Sequence, residues 1–155
     1  MTIPYQARSV LTSGLPGNIS HDGPTRVLSA LISSEDETKN LFGRAFTHKT
    51  GTDAVQVGGA GVFAGILISP KTYAVDVVYA RNASVGEFLS LGEVYVELAN
   101  AGKVGDPVCF GADGTISAGT AGTQIPGAYI ARHAPSSETP RLAVIALNGQ
   151  VNAPA

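Results

Sequence analysis

The chain has 155 residues, a formal net charge of −2, a charged fraction of 14% and one cysteine. One domain is expected at that length, burying enough surface to hold a core without staples. The lone Cys109 excludes an internal disulfide framework, and ten scattered lysines and arginines exclude the basic face that phosphate binding needs, so nucleic acid is not an expected partner.

Residues 1–24 are polar and rich in turn formers: Pro4, Gly14, Pro16, Gly17, Gly23 and Pro24 interrupt every element that could start there. The segment cannot bury enough to fold by itself. It reads either as an extended arm lying across its own domain or a neighbour, or as a loose tail. Its first residues show no basic stretch followed by an apolar run, so no signal peptide is expected. No apolar run approaches the ~20 residues of a membrane span, and no membrane partner is expected.

The run 26–33, RVLSALIS, fits a helical stripe and the two faces of a strand alike; its shortness and the preceding Gly23-Pro24 favour a strand. Ser34, three residues before Glu37, suits the N-cap of a short helical turn. Strands are then expected from Asn40 to Phe46, at 55–57, and at 62–68, where apolar residues on both faces indicate a central position. Gly58-Gly59-Ala60-Gly61 between the last two reads as a tight connection. It is no phosphate loop, because no Lys-Ser/Thr follows and a strand stands where a helix is needed. Another strand is expected at 73–79.

From Ser90 to Gly119 the period of two is clearest. Val94, Val96 and Leu98 would face a core while Glu93 and Glu97 face water. Asn100-Ala101-Gly102-Lys103 would turn the chain into a strand at 107–110, and Asp113-Gly114 would close a hairpin through 115–117, completing a meander. A Gly/Thr loop at 120–124, a strand at 127–132, a polar loop and a last strand at 142–147 follow. About eight to ten short strands argue for an all-β fold, a small β-sandwich or barrel of jelly-roll-like character with an extended N-terminal arm. The expected organisation is an arm at 1–24, a β domain at 25–148 and a tail at 149–155.

Chemistry is thin. His21, His48 and His133 fall in loops or at strand ends without metal-site spacing, and no nucleophile, base and orienter can be assembled around them. Cys109 reads as a buried, inert thiol. Glu87, Glu93 and Glu97 read as solvent-facing charges that discourage edge pairing, not as a glycosidase pair. Asp53, Asp106 and Asp113 lack the spacing of a calcium loop. No enzyme activity, metal or cofactor is expected.

Several pieces together resemble the cement, or decoration, proteins of tailed-bacteriophage capsids. They are Leu41-Phe42-Gly43-Arg44-Ala45 after the arm, Phe63-Ala64-Gly65-Ile66-Leu67, and Gly86-Glu87-Phe88 leading into Val94-Tyr95-Val96-Glu97. Gly105-Asp106-Pro107-Val108, the Asp113-Gly114 hairpin and Ile125-Pro126-Gly127-Ala128-Tyr129 continue the likeness, which runs from Arg26 to Leu147. The resemblance implies a β-rich protein, made in the host cytoplasm, that sits on the outer capsid surface of the virion. It would clamp subunits of the major capsid protein and assemble with itself as a homodimer or homotrimer. The arm would then explain residues 1–24, with Ile3, Tyr5, Leu11, Leu15 and Pro16 as candidate capsid or inter-subunit contacts. Two rivals are a structural protein of the phage tail or baseplate and a carbohydrate-binding β-sandwich, the latter using Tyr73, Tyr79, Tyr95 and Tyr129 as an aromatic platform.

Overall fold

The computed structural model describes residues 14–20, 23–69, 78–133 and 141–149. Among these the chain forms β1 (Arg26–Leu31), a single 3-10 turn (Glu37–Lys39), β2 (Ala45–His48), β3 (Val55–Val57), β4 (Phe63–Leu67), β5 (Val85–Glu97), β6 (Pro107–Phe110), β7 (Ile116–Ala118), β8 (Thr123–Arg132) and β9 (Leu142–Asn148). All nine strands belong to one sheet in the order β3-β2-β4-β5-β9-β8-β6-β7, with β1 also paired to β5. The sheet curls until its ends meet. Leu98, just past β5, bridges Ile116 of β7, and the Ala45 N–H donates to the Gly114 carbonyl at 2.9 Å. The all-β barrel-like fold read from the sequence is the one observed.

Core residues come from nearly every strand. Val94, Val96 and Leu98 pack with Ile66, Phe110, Ile130 and Ile145 inside the curl, all buried, as their alternation predicts. β4 is buried along its whole length and lies between β2 and β5. It sends Phe63 and Ile66 into that core and Ala64 and Leu67 into a second one, with Phe46, Val55 and Phe88. A central strand with two apolar faces must serve two cores, and this one does.

β5 carries the longest alternation in the chain and then breaks its own rule. Leu89 and Val94 share one core although a strict period of two puts them on opposite faces. The break lies between them. Arg26 of β1 stands opposite Leu91 while Val27 stands opposite Leu89, so Ser90 is an extra residue. Gly92 follows at φ 129°, a backbone region that residues with a Cβ rarely enter. This bulge bends β5 so that its first half pairs with β1 and β4 and its second half with β9.

Four expectations need correction. The meander is not continuous: β9 and β8 lie between β5 and β6, so only the β6–β7 hairpin of it exists. Alternation predicts which face a residue takes, not which strand lies beside it. The 3-10 turn is capped by Asp36, whose carboxylate accepts the Thr38 N–H at 3.0 Å. The Ser34 hydroxyl is engaged elsewhere, accepting the Val57 N–H at 2.9 Å. The strand expected from Asn40 begins only at Ala45, because Asn40 is buried and its side chain donates to the Ala80 carbonyl at 2.8 Å. β8 starts at Thr123, inside the expected Gly/Thr loop, paired with Phe110. The strand expected at 73–79 falls mostly outside the described residues; Val78 and Tyr79 belong to no strand.

Candidate functional site

Catalytic and metal-binding groups do not converge among the described residues. No three of His, Cys, Asp and Glu there come close enough to hold a metal. His48 ends β2 half-buried, its backbone N–H donating to the Val62 carbonyl at 2.8 Å. His133, at φ 55°, stacks on Tyr95 with ring centroids 6.3 Å apart. His21 lies outside the described residues. Cys109 is 1% exposed, and its sulfur accepts the Gly122 N–H at 3.3 Å, which leaves no approach for an electrophile.

Several acidic residues bond the backbone or pair with a cation. Glu93 pairs with Arg132 at 3.8 Å, and Arg132 also donates to the Ser20 hydroxyl. Asp106 accepts the Lys103 N–H at 2.9 Å in the turn before β6. Asp113 accepts the Thr115 N–H at 3.1 Å and lies 3.8 Å from the Arg44 guanidinium. Burial pushes the Asp113 carboxyl up, but the two Thr115 hydrogen bonds and the Arg44 charge outweigh it and hold it below its ordinary value. The hydroxyl and N–H of Thr38 lower Asp36 in the same direction. A depressed folded value contributes stability that is present above the ordinary carboxylate pKa, about 4, and lost as pH falls through the folded value. Asp113→Asn is therefore expected to flatten the fall of the melting temperature below about pH 4. Thermal melts across that range check this, and an unchanged slope would refute it.

Among the described residues, Tyr95 is not available to an aromatic platform. Tyr95 is 7% exposed, packed with Leu142 and Val144 on the outer face of β5 and β9. Residues 14–20 cover it: a Cβ on Gly14 would fall 2.7 Å from the ring's Cγ. The same segment pairs with β5 through Gly17 N–H to Tyr95 C=O and Ser20 N–H to Glu93 C=O, both 2.9 Å. Tyr129 is left exposed on β8, and Tyr73 lies outside the described residues.

Part of the surface among the described residues is apolar. Leu15 is 70% exposed and Pro16 half-buried, and both line an open cleft of about 400 Å³ with Leu41, Phe42, Val78 and Ile116. The fold thus brings together two of the five candidate contacts; Ile3, Tyr5 and Leu11 lie outside the described residues. Val78 is also 70% exposed. A second patch, which the sequence reading did not single out, consists of Val27 and Leu31 on one face of β1 with Val85 opposite Leu31, while Leu28 is exposed on the other face. Single exposed apolar residues are ordinary; contiguous ones mark interaction surfaces.

A family model described as structural cement protein (E217 gp24/Pam3 gp6), a phage family, matches residues 3–148. Among solved structures, a chain from the capsid of Myoviridae phage XM1 superposes with a TM-score of 0.69 at 14% identity, covering 96% of this chain and 98% of that one. That likeness shows a shared fold. The N base of head fiber gp8.5 of bacteriophage phi29 aligns with a TM-score of 0.47 at 19% identity, over 81% of this chain and 96% of that one. No curated protein matches the chain.

Proposed function

We propose, because this chain belongs to the phage structural cement protein family, that it docks on the outer surface of an assembled phage head and ties neighbouring major capsid protein subunits together. The family match over residues 3–148 carries the reading: it spans the β domain and nearly all of the preceding arm. The role is structural and needs no catalysis. A protein that binds the closed shell and not its free subunits stabilises the shell by mass action, one increment per occupied site.

Composition and surface support the same reading. A charged fraction of 14% is low against the roughly 25% of ordinary domains, as suits a surface that is covered in use. Docking would involve Leu15 and Pro16 beside the cleft, with Ile3, Tyr5 and Leu11 of the arm. Self-association as a dimer or trimer would place these contacts around a symmetry axis. Thirteen extended residues span roughly 40 Å, enough for an arm to cross a neighbouring subunit.

Sedimentation with purified, expanded heads tests the proposal. Wild-type protein is expected to pellet with heads and raise their melting temperature. A form lacking residues 1–13 is expected to stay folded and bind at least tenfold more weakly. The truncation stops there because Gly17, Asn18 and Ser20 are hydrogen-bonded to β5. Absence of wild-type binding to heads would overturn the function; undiminished binding of the truncated form would remove the arm from it.

A further inference from the structure

The open edge of β1 is built as a strand acceptor. Ile32, just past β1, donates its N–H to the Ser84 carbonyl and accepts from the Ala83 N–H, both at 2.9 Å, on the side that faces β5. Ser33, one residue on, points the other way and donates to the Val55 carbonyl of β3 at 2.8 Å. By the alternation of a strand, Val27, Ser29 and Leu31 turn their N–H and C=O groups away from β5. Among the described residues no strand pairs with that side of Val27 or Ser29; just past β1, Ile32 forms a parallel bridge with Val55 of β3, which closes that side from Leu31 on. Apolar side chains flank it: Val27, Leu28 and Leu31 are 40%, 38% and 47% exposed, and Val85 beside Leu31 is 63% exposed.

Edge strands of natural proteins are blunted by charge, proline or inward-pointing lysines. β1 carries none of these beyond Arg26 at its first position. Val27 and Ser29, unblunted and with backbone groups turned outward, form a short template for strand addition.

Area decides the occupant. Even all six residues of β1 give an edge only ~20 Å long, and at a sheet thickness of ~10 Å it buries roughly 400 Å² over both partners. Stable pairs of free proteins bury about 1,200–2,000 Å². The edge alone is therefore too small to hold two free copies together. It suits a shell that supplies further contacts to the same molecule and presents the same strand at every site, so that weak contacts add through effective concentration.

We propose that β1 accepts an extended, uncharged apolar segment of the major capsid protein as an added antiparallel strand. This rests on the cement reading and assigns one surface to it. Ser29→Pro is the decisive variant. Proline at 29 removes an N–H that points to the open edge, a position where edge strands tolerate it, so the fold is retained while the added strand loses a central hydrogen bond. Ser29→Ala is the control.

The experiment compares head binding by sedimentation, with folding followed by thermal melts and assembly state by analytical ultracentrifugation. The expected result is a folded Ser29→Pro protein whose affinity for heads falls at least tenfold, with Ser29→Ala unchanged. Folded Ser29→Pro that binds like wild type overturns the inference and leaves the cement function standing. Loss of self-association with unchanged head binding overturns it in favour of a second copy at this edge. If Ser29→Pro does not fold, Leu31→Lys, a charge at an already exposed position, is expected to give the same loss, and its normal binding would overturn the inference. A wild-type protein that fails to bind heads removes the cement function and this assignment together.

Discussion

Replacing Phe88 by alanine is expected to lower the unfolding free energy by about 4 kcal/mol, the middle of the range for deleting a buried aromatic side chain. Phe88 is fully buried in the first half of β5, and its ring lies 4.9 Å from that of Phe46 at a 50° tilt. That pair joins β2 to β5 across β4 inside the second core. The surroundings cannot close over the loss, because each wall is a strand held in the sheet by β4 or β1. Domains of this size are stable by about 5–15 kcal/mol in all, so the variant retains only a fraction of its stability. Phe88→Leu, which keeps most of the volume, should cost about 1–1.5 kcal/mol. Urea denaturation of both variants measures this. A Phe88→Ala cost below about 1 kcal/mol would mean that the second core is not packed as described. A cycle with Phe46→Ala should show coupling of about 0.5–1.5 kcal/mol between the two rings.

Phe88 also marks the limit of what the sequence discloses. The alternation through Val94, Val96 and Leu98, the hairpin at Asp113-Gly114 and the doubly apolar β4 are local patterns, and each was legible because solvent on one face, or on neither, dictates the residue types. The switch of faces between Leu89 and Val94 was not legible in that way, since Gly92 reads equally as a turn, a bulge or a plain strand residue. The insertion of β9 and β8 between β5 and β6 depends on contacts between distant parts of the chain, to which a period of two is blind. Ser34 lost the cap to Asp36 for a similar reason: the Val57 N–H, 23 residues away, competes for its hydroxyl. The surface patch on β1 was hidden by its own composition. RVLSAL has the look of an interior strand, and only the sheet order reveals that one side of it is open.

Gly58→Ala is expected to cost about 3 kcal/mol, although it adds one methyl group, because it strikes the contact that closes the curl. Gly58 sits at φ 61° in the turn after β3. A Cβ there would lie 2.6 Å from both the Ala112 carbonyl carbon and the Gly114 nitrogen, with the Ala112 oxygen closer still. These are backbone atoms of the β6–β7 hairpin and have no rotamer to give way. The same few residues lock the two ends of the sheet: Gly58 N–H donates to the Ala45 carbonyl at 2.8 Å, and Ala45 N–H donates to the Gly114 carbonyl at 2.9 Å. Gly105→Ala separates collision from backbone strain, since Gly105 has φ 94° with nothing within 4 Å of its would-be Cβ. That variant should cost only about 1–2 kcal/mol, the strain alone. Equal costs at the two positions, measured by urea denaturation, would show that the closing contact yields freely and that the ends of the sheet are not held together there. The expected gap between them has a functional side. A protein that clamps a shell transmits load between its contacts only if its own sheet cannot open. Gly58→Ala should therefore weaken the protection of heads against heat more than it weakens binding to them, whereas Gly105→Ala should change neither.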